Sequence, residues 1–325
     1  MLCLGAIQIN QTNGAQWAVL QYDYDALVSL AAGVREGRFD LAAKALNVTQ
    51  SAGSQRIKAL EERVGAVLIV RGRPCVPTEA GLELCRHVEQ VGLLQHELNE
   101  KLGALVGRTD DSAATVRISV NNDSLASWFP SVIKRAKEEL GIRFDILADD
   151  QEHTEQNLKS GDALAVVTTL EPPVQGCRRV SLGAMDYIAV ASKDFFEEHF
   201  PDGVASIEVL RDTSCLVFDR KDTIQDQWMM ISFGETVPVS THMVPSYEGY
   251  LACCLNGTAW GLVPSVAATE ELKSGELIEL TPGKAVRVSL HWQASAQSSE
   301  ILRRLGDLVL EQAKMFLAPD NFRPE

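Results

Sequence analysis

Asn121, Asn122, Asp123 and Ser124 stand side by side directly after the apolar run TVRISV. Backbone N–H groups at the opening of a helix attract a carboxylate. The Ser124 hydroxyl adds a donor there, and the Asp123 carboxylate can hold an ammonium. Three more acids fall at the ends of regular-looking runs: Asp186 before YIAVAS, Asp219 after SCLVF, and Glu248 in SYEG. Each alone reads more readily as a helix cap or a surface carboxylate. Together, at strand ends and helix starts, they suit a cleft of negative potential that takes a cation.

A second constellation has different chemistry. Thr49, Gln50, Ser51, Ser54, Gln55 and Lys58 fall within one short stretch, NVTQSAGSQRIKALEERV. Short polar side chains at the leading end of a helix, followed by a cation, can approach base edges and phosphates in a major groove. Arg38, Arg71 and Arg73 flank the stretch and suit phosphates on either side. The plainer reading is a solvated helical hairpin with ordinary polar outer residues.

Other chemistry finds little support. There is no GxSxG, no HExxH and no Gly-rich phosphate loop, and the six histidines are scattered, so no catalytic site is expected. Observed turnover of an amino acid would revive the enzyme reading. The seven cysteines include no CxxC pair, which argues against a disulfide framework or a metal site. No cofactor is expected.

These side chains need elements to position them. From Asp25, apolar residues recur at helical spacing through Leu27, Leu30, Ala31 and Val34, and Gly37 ends the run. Asp40 is placed to cap a second short helix. Thr49 is placed to cap a third, which Gly65 stops. On that helix Gly53, Ile57, Leu60 and Val64 share the core-facing side. VLIVRGRPCVP then reads as two short strands around a Gly-Arg-Pro bend. A long helix follows, in which Leu84, Val88, Val91, Leu98, Leu102 and Leu105 alternate at fours and threes, with Gln95 as the polar member. That pattern favours pairing with a copy of itself over packing within its own domain. After RTDDSAAT, strand-like runs alternate with amphipathic ones, which predicts an α/β domain with a largely parallel sheet.

Length and charge agree with two kinds of domain. At 325 residues the chain exceeds one ordinary domain, and 46% hydrophobic residues suffice for full cores. The net charge of −14 argues against a protein that coats nucleic acid, yet the stretch from Arg35 to Arg73 is net basic. One part is thus suited to an anion and another to something else. The opening residues carry no basic n-region and no run long enough to span a bilayer, so a cytoplasmic protein without membrane contact is expected. A secreted solute-binding protein would explain the α/β half, but it would leave the short helices and their polar, basic stretch unexplained.

The segment FDLAAKALNVTQSAGSQRIKALEERVGAVLIVRGRPCVPTEAG resembles the N-terminal domain of LysR-type transcriptional regulators along its whole length. The AA pair, TQSA-SQ, IKALE, the following VG, the paired wing arginines and TEAG carry the match. Gly53 departs from it, because the family usually has an apolar residue there. The resemblance implies a winged helix-turn-helix, a long dimerising linker helix and a two-lobed α/β effector domain like periplasmic binding proteins. The corresponding boundaries are an extension at 1–21, the DNA-binding domain at 22–80, the linker helix and hinge at 81–112, the effector domain at 113–318 and a tail at 319–325. SVNNDSLASW, LGAMDYIAVASKDFFEEHFPDGV, LVFDRKD and SGELIELTPG resemble the ArgP/LysG branch. That narrower likeness implies lysine or arginine as effector and a basic amino acid exporter gene as target. It also implies double-stranded operator DNA, homodimers that pair into tetramers, and contact with RNA polymerase. The alternative within the family is a different small metabolite and other genes.

Overall fold

The computed structural model describes residues 22–106, 114–149, 157–158, 162–170, 172–204, 206–296 and 299–320, with residues 100, 103–106 and 149 in backbone only. The chain divides into two compact units, Met1–Val88 and Glu89–Glu325.

In the first unit, α1 (Tyr24–Glu36), α2 (Phe39–Ala45) and α3 (Gln50–Val64) precede a hairpin of β1 (Ile69–Val70) and β2 (Val76–Pro77). Asp23 caps α1, and Gly37 closes it in the left-handed region at φ 63°. Thr49 caps α3 by accepting from the Ala52 amide, and Gly65 ends it. Asp40 does not cap α2 as expected. The cap position is Arg38, and Asp40 sits in the first turn, where its carboxylate pairs with the Arg38 guanidinium at 2.6 Å. Leu27, Leu30, Ile57, Leu60 and Leu68 form the buried centre. Each fully buried aliphatic side chain contributes roughly 1.5–3 kcal/mol.

Helix α4 (Glu79–Val106) begins in this unit and continues into the next. Thr78 accepts from the Gly81 amide at its start. Leu84 and Val88 pack on the first unit's core, while Leu93 is buried in the second unit's core. Leu98 and Leu102 of the expected seam stay exposed at 55% and 47%, and Leu94, outside that pattern, at 53%, so an uncovered apolar stripe remains in the single chain. Leu105 lies outside the described side chains.

The second unit is built on a seven-stranded sheet. Its strands and helices run β3 (Thr115–Asn121), α5 (Asn122–Ala126), α6 (Phe129–Leu140), β4 (Arg143–Asp149), β5 (Ala165–Thr168), β6 (Cys177–Ser192) and α7 (Lys193–His199). They continue with β7 (Ser214–Val217), α8 (Ile224–Phe233), β8 (Ser240–Met243), α9 (Tyr247–Leu255), β9 (Gly261–Pro264), α10 (Thr269–Ser274), β10 (Leu277–Glu279), β11 (Ala285–Ser295) and α11 (Glu300–Phe316). The order across the sheet is β10-β6-β11-β5-β3-β4, with β9 also on β6, and β7 and β8 form a separate parallel pair.

The sheet is mixed rather than largely parallel. β3 pairs β4 and β5 in parallel, but β6 and β11 run antiparallel to each other and to their other neighbours. These two long strands lie side by side within the sheet. YIAVAS is only the end of β6, and β11 carries no strand-like apolar run, because RVSLHWQAS places polar residues in a buried strand. His291 and Gln293 are both buried. At Gly183 φ is 111° and an added Cβ would lie 2.6 Å from the Ala318 carbonyl oxygen, so the crossing of the last segment over β6 needs glycine.

Candidate functional site

The carboxyl ends of β3 and β7, the start of α9 and the middle of β6 and β11 enclose a cavity of about 650 Å³. Ligands in α/β folds bind beyond the carboxyl ends of strands, and this volume falls within the range of small-molecule sites. Trp128 and Phe129 are fully buried at the α5–α6 corner and lock α5 against the sheet. That packing holds Asp123 at the cavity edge.

Asp123 accepts a hydrogen bond from the Tyr187 hydroxyl. Burial pushes its carboxyl above the usual range, the Tyr187 hydrogen bond works against that rise, and the charge of Asp222 adds to it. The Tyr187 phenol is also pushed well up, first by burial and then by Asp123. Burial likewise raises the Tyr247 phenol. Asn121 and Asp219 line the cavity beside Asp123. Among the described residues, the Asn121 Oδ1 is buried without a hydrogen-bond partner, as is the Ser124 Oγ, although Ser124 is not itself a lining residue. Asp219 Oδ1 accepts from the backbone amides of Lys221 at 2.7 Å and Asp222 at 3.0 Å.

Two of the expected acids lie apart. Asp186 is not among the lining residues. Neighbours on a strand face opposite sides, and Tyr187 takes the cavity side. The Asp186 carboxylate instead pairs with Arg287, which does line the cavity. Glu248 is exposed on the first turn of α9 and accepts from the Ser246 hydroxyl; it too is absent from the lining.

Sequence reasoning missed Tyr187, Asp222, Tyr247 and Arg287. Asp222 had a usable signal, since it stands two residues ahead of a helix and three residues after another acid. Its carboxylate accepts from the amides of Phe218 and Ile224 and from the Gln225 side chain. Tyr187 had none, because an aromatic residue in an apolar strand reads as core.

In the first unit, Thr49, Gln50, Ser51, Gln55 and Lys58 are exposed along one side of α3, and Ser54 is partly exposed. Thr49 Oγ1 and Ser51 Oγ are 3.1 Å apart. Lys58 approaches Glu62 at 3.8 Å, with both largely exposed, a weak pairing that leaves the ammonium open to solvent. Arg71 and Arg73 are exposed on the wing, with the Arg71 guanidinium 5.5 Å over the Phe39 ring. Arg38 is half exposed and paired with Asp40. Gly53 differs from expectation. An added Cβ would meet nothing within 4 Å, so Ile57 and Leu60 face the core and Gly53 does not touch it.

Among the described residues, no helix is long and apolar enough to cross a membrane.

Residues 24–82 match the bacterial regulatory helix-turn-helix protein family of lysR type, and residues 109–314 match the LysR substrate binding domain. The HTH-type transcriptional regulator ArgP of Pseudomonas fluorescens is 38% identical over 298 residues, covering 92% of this chain and 99% of that protein. The crystal structure of ArgP from Mycobacterium tuberculosis superposes with a TM-score of 0.76 at 36% identity, covering 92% of this chain and all of that one. Full-length LysG from Corynebacterium glutamicum with bound effector Arg gives a TM-score of 0.66 at 33% identity, covering 91% of this chain and all of that one. With a lysR-type helix-turn-helix followed by the family's substrate-binding domain, and relatives of matching length, the chain belongs to the LysR family of transcriptional regulators.

Proposed function

We propose that this regulator senses a basic amino acid, lysine or arginine, and controls transcription of a basic amino acid exporter gene. The observation that carries the reading is the charge of the cavity. Asp123, Asp219 and Asp222 line it against Lys221 and Arg287, and Arg287 is already matched by Asp186 outside the lining. The balance favours a cation, and Asp123 is the acid that a buried cavity side chain, Tyr187, engages by a hydrogen bond. The buried Asn121 Oδ1, without a partner among the described residues, is a further acceptor for an ammonium. The LysG relative described with bound arginine supports the same ligand class.

Thr49, Gln50, Ser51, Ser54, Gln55 and Lys58 face operator DNA in this reading, and Arg38, Arg71 and Arg73 hold phosphates. The exposed Leu94, Leu98 and Leu102 stripe supports a homodimer through α4. Pairing of dimers into tetramers, contact with RNA polymerase and a cytoplasmic location complete the reading.

The test is calorimetric titration of the protein with lysine, arginine and norleucine. Lysine or arginine should bind more tightly than norleucine. Equal binding of all three sinks the basic amino acid and leaves a LysR regulator with another small effector.

A further inference from the structure

Tyr187 reaches Asp123 from a distant part of the unit. It lies on β6, opposite Val286 of β11 and Pro264 of β9. Its ring is buried, and its hydroxyl donates to Asp123 Oδ2 across a sequence separation of 64 residues. Packing on both sides fixes the phenol, so it presents a donor of defined direction to a carboxylate on the short α5 corner.

The other charged and titratable groups around Asp123 cannot replace that donor. Asp222, from the loop after β7, is an anion held by the amides of Phe218 and Ile224. Tyr247, on α9, directs its hydroxyl to the Ala267 carbonyl oxygen. Asp219 is turned onto backbone amides. Arg287, on β11, is engaged by Asp186 through two hydrogen bonds. Lys221 lines the same cavity but has interactions of its own.

We propose that Tyr187 is the positioning residue of the effector site: it holds Asp123 ionised and aimed at the effector's ammonium, and so links effector affinity to the protonation of Asp123. This inference rests on the basic amino acid reading above. A carboxylate among buried surfaces with an anion nearby favours its neutral form, and a hydrogen bond to the charged form opposes that. An ammonium on Asp123 also favours the charged form, so binding lowers the pH at which Asp123 protonates. Affinity is therefore full above the free protein's titration point and declines as pH falls through it. Removing the phenol hydroxyl moves that decline to higher pH.

The experiment compares arginine binding by wild type and Tyr187→Phe from pH 5 to 8, where arginine keeps both cationic groups. Tyr187→Phe should lose affinity at a higher pH than wild type. Where the two curves are furthest apart, the variant should bind about tenfold or more weakly, as expected for loss of a hydrogen bond to a charged group. The curves should converge toward pH 8. A loss of the same factor at every pH assigns Tyr187 to packing and overturns the proposal, as does an unchanged curve.

Carboxyl-carbon NMR of Asp123 in effector-free protein judges Tyr187 independently of the ligand. The Asp123 midpoint should be higher in Tyr187→Phe, and an equal midpoint overturns the proposal. If wild type prefers norleucine or binds it equally, the basic amino acid reading fails while this titration still decides the role of Tyr187. Should Tyr187→Phe not fold, Asp123→Asn serves instead. It should flatten the pH dependence of arginine binding seen in wild type, and a dependence left intact overturns the linkage.

Discussion

Arg287 and Asp186 stand opposite each other on β11 and β6 and close a two-point ion pair, Nε to Oδ1 at 2.7 Å and Nη2 to Oδ2 at 2.9 Å. The planar guanidinium suits this fork geometry in a way a lysine would not. The pair neutralises a cation that belongs to the cavity lining.

Asp186→Asn removes that compensation without touching the cavity lining. Lysine and arginine should bind several-fold more weakly, because Arg287 then repels them. Asp123→Asn should do far more, weakening binding beyond tenfold, since breaking one partner of a buried charge pair costs about 2–5 kcal/mol. Melting of Asp186→Asn should correspond to a change of no more than about 1 kcal/mol, because the pair is partly exposed. Calorimetry on the two variants side by side checks the ranking. A larger loss for Asp186→Asn would reverse the roles given to the two acids.

Lys58 is open on the outer side of α3. Lys58→Ala should fold normally and bind operator DNA more weakly. If Lys58 meets a phosphate, the slope of log affinity against log salt should fall by about one. Operator affinity that does not change across a salt series would take this side of α3 out of the groove.

Gly53 sits inside α3 with open space where a Cβ would project. Gly53→Ala should therefore stabilise the protein by about 0.4–1 kcal/mol, through reduced freedom of the unfolded chain. A denaturant midpoint measures this. A lower midpoint with unchanged oligomeric state would contradict the open space. A higher midpoint with weaker operator binding would show that the glycine admits a close approach of DNA.

The first unit was legible in the sequence because its information is local. Thr49, Gly37 and Gly65 mark helix ends through their own side chain or backbone freedom, and the spacing of Leu27, Leu30, Ile57 and Leu60 sets the buried faces. Even there the wheel misplaced Gly53, since a helical face says which residues share a side, not whether anything packs against the end of that side. In the second unit the strand runs and the Asn121–Ser124 corner could be read directly, because turn and helix-start chemistry is also local. Tertiary structure alone decided the mixed sheet, in which β6 and β11 pair over distances that no periodicity encodes. It likewise decided which acids share a cavity. Asp186 and Tyr187 are neighbours in sequence, yet strand alternation gives the cavity to Tyr187 and sends Asp186 to Arg287. Asp123, Asp222, Tyr187 and Tyr247 come from four separate elements, and their electrostatic coupling exists only after the chain has folded them together.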